Sequence, residues 1–340
     1  MVKTIPVGEA LKKENSIIVD TRTPNEYNLD HLPNSINIPI FSNDERVMVG
    51  TIYKQVSRDL AIERGVEFFS KNLPNIMKEI NKIKNKILII QCWRGGMRSK
   101  ALASLLESLD YDVYQLEGGY KAYRAYVREQ LSNYKIKSKI VVLHGLTGTC
   151  KTRLLLEFKN NLDLEGLARH RGSMYGGIGL VPNHQKKFEN LLLQRLNKLK
   201  DESYIIIEGE CKRIGNVIIP PFLWCAMNKG IKIEIKRDLN LRAKAIVEEY
   251  FDNQEKINKV IETTKMLKKN ISNKEKDQVI KFIQNNNYNE AVKIILLKYY
   301  DPLYKHTLNQ ENYDFSINNN NILEAKKELK EKIKSRLLQV

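Results

Sequence analysis

The residues most able to do chemistry are packed into QCWRGGMRS (91–99). Cys92 is followed by Trp93, Arg94, Gly95, Gly96, Met97, Arg98 and Ser99, after an apolar run and before a stretch with helical periodicity. A loop placed between a strand and a helix aims backbone N–H groups and the helix N-terminus at its occupant. A cysteine held there, beside two arginines, faces positive potential that favours its thiolate. Nucleophile and anion cradle are then one loop, with Cys92, Arg94 and Arg98 as the catalytic candidates. An inert cysteine in a tight turn would explain neither the arginines nor the glycines.

A second loop, HGLTGTCKT (144–152), nearly matches G-x-x-x-x-G-K-[ST]. In that pattern backbone amides wrap a diphosphate, the lysine neutralises it, and the hydroxyl can bind Mg2+. The candidate diphosphate ligands are therefore Gly145, Thr147, Gly148, Thr149, Cys150, Lys151 and Thr152. Cys150 stands where the pattern has glycine, so a side chain crowds the phosphate. Downstream, Arg169, His170, Arg171 and Ser173 read as a second polar wall, and Glu208 and Glu210 end an apolar run where an acid can hold a metal or orient water. Arg237 and Arg242 follow the next strand and complete the set of anion-binding candidates.

The surrounding sequence must place these loops. SIIVDTR (16–22), SINIPI (35–40), KILIIQC (86–92) and DVYQL (112–116) read as strands, with helical spacing from Val66 to Ile83 and over 99–109. A second series, KIVVLHG (139–145), SYIIIEGE (203–210) and GIKIEIKR (230–237), repeats the alternation, and from about residue 238 the pattern reads as helical. Strands alternating with helices imply mostly parallel sheets with right-handed crossovers. The predicted layout is an α/β domain over 1–132, a second α/β domain over 133–240, and a mainly helical region over 241–340 packed on the second domain.

At 340 residues the chain can bury more than one core. It has no apolar run near the roughly 20 residues a membrane helix needs, and no signal peptide pattern at its start. Four cysteines without a C-x-x-C pair argue against a zinc site and for reduced thiols in the cytoplasm. A net charge of +17 favours a polyanionic partner, although abundant lysine alone would produce it. The segment 117–139 carries six basic and two acidic residues. Its Lys121, Arg124, Arg128, Lys135, Lys137 and Lys139 are the candidate contacts to RNA.

As a bare pattern, C-x5-R-S also describes protein tyrosine phosphatases. DTRTPNEYNLDHLPNSINIP (20–39), with Asp20, Arg22, Glu26, His31 and Pro39, resembles the opening motif of the rhodanese fold, and LEGGYKAYR (116–124) its closing motif, with Tyr123 where tryptophan is common. The cysteine loop is one residue longer than in persulfide-forming rhodaneses, which suits a phosphate-sized anion. With the phosphate loop, DLEGLARHRGS (163–173), EGECKRIGNVIIP (208–220) and KYYDPLY (298–304), the chain resembles the tRNA 2-selenouridine synthase family over nearly its whole length. That resemblance implies a rhodanese-like domain followed by a P-loop NTPase-like domain with a helical C-terminal region. It also implies a transferase that alkylates wobble 2-thiouridine in tRNA with geranyl diphosphate and then replaces the S-geranyl group with selenium from selenophosphate. No tightly bound cofactor is implied; Mg2+ at the phosphate loop is optional, and an enzyme supplying selenophosphate is an implied partner. The short gap before Asp163 predicts a truncated helix after the phosphate loop. Three other readings stay open: a tRNA sulfurtransferase with an ATP-binding loop, a protein phosphatase, and a non-catalytic RNA-binding protein.

Overall fold

The computed structural model describes residues 2–304 and 312–338 and divides into two compact units, Met1–Asn133 and Tyr134–Val340. In the first unit, β1 (Lys3–Ile5), β2 (Ser16–Asp20), β3 (Ile36–Asn37), β4 (Ile87–Gln91) and β5 (Val113–Leu116) form one parallel sheet in the order β1-β5-β4-β2-β3. The central strand β4 has Leu88, Ile89 and Ile90 fully buried, as a parallel strand covered on both faces requires. Two elements depart from the sequence reading. β3 is only two residues long where 35–40 read as a strand, because Pro39 offers no N–H to a ladder. β1 is too short to leave a periodic signal.

The second unit is also built on a five-stranded parallel sheet. Its strands are β6 (Lys139–His144), β7 (Asn161–Leu162), β8 (Tyr204–Glu208), β11 (Ile231–Lys236) and β12 (Phe315–Asn318), in the order β12-β11-β6-β8-β7. A small antiparallel hairpin, β9 (Arg213–Ile214) with β10 (Val217–Ile218), lies between β8 and β11 in the chain. The region after 238 is not wholly helical, since it contains β12. β12 pairs with β11 along Ile233–Lys236, a partner too distant in sequence for any local pattern to announce. The helix Ile322–Leu338 then returns, and its Ala325, Leu329 and Ile333 join Leu154 and Leu155 of the phosphate-loop helix in one core. That phosphate-loop helix spans Lys151–Leu156, the short element expected. A second apolar core gathers Tyr175, Tyr250, Val260, Val292, Ile295 and Tyr300 from the helical layer.

In both units the chemistry-bearing loop leaves the C-terminal end of a central strand. The cysteine loop follows β4, and the phosphate loop follows β6. Ligands of open α/β sheets bind at that edge.

Candidate functional site

In the first unit Cys92 directly follows β4 and its side chain is buried. The loop is held from both sides: the Tyr120 and Lys121 amides donate to the Cys92 and Trp93 carbonyls (2.8 and 2.9 Å). Gln115 Nε2 donates to the Gly95 carbonyl (2.8 Å) and to Ser99 Oγ (2.9 Å). Gly119, in the closing motif, lies so close that an added Cβ would overlap the Cys92 carbonyl oxygen and come within 2.6 Å of the Gly95 nitrogen. Only glycine allows that approach. Ser99 Oγ is 3.2 Å from Cys92 Sγ. Burial pushes the Cys92 thiol up, but the Ser99 hydroxyl, the Ser99 and Arg94 backbone and the Arg98 charge outweigh it, and the thiol ends below its ordinary value. The loop therefore favours the thiolate more than an ordinary cysteine environment does.

The opening motif supports this loop from outside. Arg98 pairs with Glu26 (3.0 Å), which also accepts the Thr23 amide in a capping box at the start of the helix Pro24–Leu29. Burial pushes the Glu26 carboxyl up, and Arg98, the Thr23 amide and Arg22 together more than reverse it. Asp20 and Arg22 form a buried pair (2.6 Å), and the Arg22 guanidinium lies 3.9 Å from the Tyr120 ring centre. Arg94 is exposed beside the loop, whereas Arg98 is half-buried and engaged. His31 stacks on Tyr27.

In the second unit the phosphate loop is clamped by its neighbours. A Cβ on Gly145 would overlap the Ile235 carbonyl oxygen of β11. Cys150 occupies the left-handed region (φ 60°, ψ 36°), which is why glycine is the usual residue there and why a cysteine costs about 1–2 kcal/mol. Lys151 Nζ donates to the Gly145 carbonyl (2.8 Å), so it must exchange that bond to meet a phosphate. Thr149 turns its hydroxyl back onto Leu146 O (2.8 Å). Asn319, just past β12 and fully buried, donates to the Thr149 carbonyl (2.8 Å). Arg242 donates to the Thr147 carbonyl (2.8 Å) and forms a two-pronged buried pair with Asp301 (2.6 and 3.1 Å). It therefore braces the loop, with its guanidinium engaged by Thr147 and Asp301.

The loop opens onto a cavity of about 790 Å3, which Lys151, Thr152, Arg169, Arg171, Ser173, Glu208 and Glu210 also line. Arg171 pairs with Glu249, and its guanidinium lies 5.1 Å from the Tyr250 ring centre. Arg237 is close enough to stabilise a Cys150 thiolate electrostatically, though burial leaves that thiol above its ordinary value. The sequence reading missed Glu165. Its carboxylate joins those of Glu208 and Glu210 within 4.8 Å, beside the Thr152 hydroxyl (3.4 Å). Both oxygens of the buried Glu208 lack a hydrogen-bond partner. Burial, reinforced by the neighbouring carboxylates, pushes Glu165 and Glu208 up to about 8 and Glu210 up to about 7; Lys151 opposes the rise in all three. An all-oxygen set of this kind, with an orphaned carboxylate, fits a hard divalent cation such as Mg2+.

A titration follows from these carboxyls. Their native pKa values lie above the unfolded ones, so the native state holds protons that the unfolded chain has released. The stability they contribute is present below pH 4.5 and is lost as pH rises through about 7 to 8. In EDTA, the melting temperature of the second unit is expected to fall by on the order of 5 °C between pH 5 and 8.5. Glu208→Gln should flatten that slope and Mg2+ should restore the loss; a melting temperature insensitive to both would contradict the arrangement.

Of the proposed RNA contacts, Lys121, Arg128, Lys135, Lys137 and Lys139 are exposed. Arg124 differs from them: it is buried on the helix Gly119–Ser132, 4.0 Å from Asp30. The same helix shows that most of 117–139 is not linker.

Family comparisons agree with this geometry. A rhodanese-like domain model matches residues 7–126, and the model of the tRNA 2-selenouridine synthase AAA domain matches residues 138–274. A tRNA 2-selenouridine synthase from Shewanella frigidimarina is 30% identical over 264 residues, covering 75% of this chain and 71% of its own. The chain belongs to the tRNA 2-selenouridine synthase family. A member from Nitrosomonas eutropha is 33% identical across 71% of this chain, the match spanning 64% of the relative's length. One from Shewanella halifaxensis is 27% identical across 86% of this chain and 89% of its own. Family membership accounts for both loops on one chain: a rhodanese-like unit carrying Cys92 and a P-loop α/β unit carrying Lys151. No described helix is long and apolar enough to cross a membrane.

Proposed function

We propose that this chain is a cytoplasmic tRNA 2-selenouridine synthase, converting wobble 2-thiouridine to 2-selenouridine through an S-geranylated intermediate. The observation that carries the reading is the pairing of two anion sites of different chemistry, a thiolate-favouring loop and a phosphate loop opening on a cavity. In the first step the thiouridine sulfur attacks C1 of geranyl diphosphate, the C–O bond breaks, and diphosphate leaves with the electron pair while the base loses its N3 proton. Lys151 and the loop amides meet the charge that grows on the leaving group. Glu165, Glu208, Glu210 and Thr152 would hold Mg2+, which when bound neutralises diphosphate charge.

In the second step selenophosphate occupies the Cys92 loop. Its selenium attacks C2 of the base, geranyl thiolate leaves, and the Cys92 thiolate takes the phosphoryl group as the P–Se bond breaks, with the electron pair staying on selenium. Water then releases phosphate from Cys92. No oxidant or reductant is needed. Exposed lysines and arginines, Lys121, Arg128, Lys135, Lys137 and Lys139 among them, supply phosphate-backbone attraction for tRNA, and the wobble base, unpaired in its loop, is accessible to an enzyme.

Nucleoside mass spectrometry of thiouridine-containing tRNA, incubated with the protein, geranyl diphosphate and selenophosphate, tests the reading. It is expected to show 2-selenouridine with both donors and S-geranyl-2-thiouridine with geranyl diphosphate alone. Thiouridine left unchanged with both donors would refute it.

A further inference from the structure

Two chemically distinct sets of residues line the cavity over the phosphate loop. One is the anion cradle around Lys151 and Thr152. The other is an apolar wall of Tyr175, Tyr250, Val260, Val292, Ile295 and Tyr300. All six are at least nine-tenths buried and belong to one apolar core. The stretch Ile295–Tyr300 is a π-helical segment, a widened turn that often accompanies a functional site.

Of the three tyrosines, Tyr175 already has its hydroxyl engaged with Thr264 Oγ1 (3.0 Å). Burial pushes the phenols of Tyr175 and Tyr250 above their ordinary range, and Tyr300 further still. The wall offers a ligand chiefly ring and aliphatic surface. A nucleobase would need hydrogen-bonding partners that Val260, Val292 and Ile295 cannot offer, whereas a hydrocarbon chain needs none.

We infer that this wall is the binding site for the hydrocarbon chain of an allylic diphosphate whose head lies in the phosphate loop, and that Val260 and Ile246 set the chain length accepted. The inference rests on the diphosphate role proposed above and adds where the chain lies. Ile246 lines the same cavity beside Gly148, at the junction between the cradle and the wall. Ile246 also packs against the apolar core to which Val260 belongs, so a larger side chain at either position takes space from the apolar part of the cavity.

Calorimetric titration of the full chain with inorganic diphosphate, dimethylallyl diphosphate (five carbons) and geranyl diphosphate (ten carbons) tests this without requiring turnover. The wild type should bind the ten-carbon ligand at least ~100-fold more tightly than the five-carbon one, from the apolar surface removed from water. Val260→Phe should erase most of that preference while leaving inorganic diphosphate affinity within about threefold. Ile246→Phe, at a half-buried position, is the second variant should Val260→Phe fail to fold. Equal affinity for both chains in the wild type would overturn the inference and leave the diphosphate role standing. A ten-carbon preference untouched by both variants would place the chain elsewhere and overturn it too. Failure to bind inorganic diphosphate at all would remove the diphosphate role itself.

Discussion

Cys92→Ala is expected to stop the second step and spare the first. With both donors present the variant should accumulate S-geranyl-2-thiouridine, while 2-selenouridine formation falls at least ~10^3-fold, about 4 kcal/mol of activation free energy. The size follows from losing both the nucleophile and the anchor for the phosphoryl group, with no other thiol in the first unit to replace it. Cys92 packs beside Ser99, and alanine removes only one buried sulfur, so the unit should remain folded. Single-turnover assays with pre-geranylated tRNA isolate the step. Selenouridine formed at an undiminished rate would place the selenium chemistry away from this loop. Equal loss of both steps would show that Cys92 is needed for more than selenium transfer.

Lys151→Ala should give the reverse pattern. Loss of one preorganised positive donor at a developing anion costs about 10^2- to 10^3-fold in rate, and the alkylation step should slow by that amount. Pre-geranylated tRNA should still be converted to 2-selenouridine at close to the normal rate. The lysine's present bond is to its own loop, at Gly145 O, so its removal leaves one carbonyl without a donor but takes no apolar contact from the core. Single-turnover geranyl transfer measures the effect. A change of less than about threefold would mean that the loop does not carry the leaving group.

Local strings carried most of what the sequence revealed. QCWRGGMRS and HGLTGTCKT each hold strand end, loop and helix start within a few residues, so position and chemistry could be read together. What escaped was assembled from distant segments. Glu165 meets Glu208 and Glu210 only because β7 and β8 lie side by side in the sheet. The chain wall draws on residues between Tyr175 and Tyr300, and no spacing rule links them. Charge misled in a particular way: Arg124 and Arg242 looked like ligands for phosphate, yet each is buried against an aspartate of its own unit. Composition hides pairing of this kind. Asn319, one of four consecutive asparagines, gives no local sign that it is the buried brace of the phosphate loop.

That brace has a consequence for how the protein is made. All five strands of the first unit lie before Gly118, so its sheet can close while most of the chain is still to be synthesised. The second unit cannot close early, since β11 waits for β12, and the Thr149 carbonyl waits for Asn319. Domains generally fold in order as they emerge from the ribosome. The thiolate loop therefore matures first and the phosphate loop last. A nascent or proteolytically clipped chain lacking 315–338 would present the cysteine loop without a braced phosphate loop.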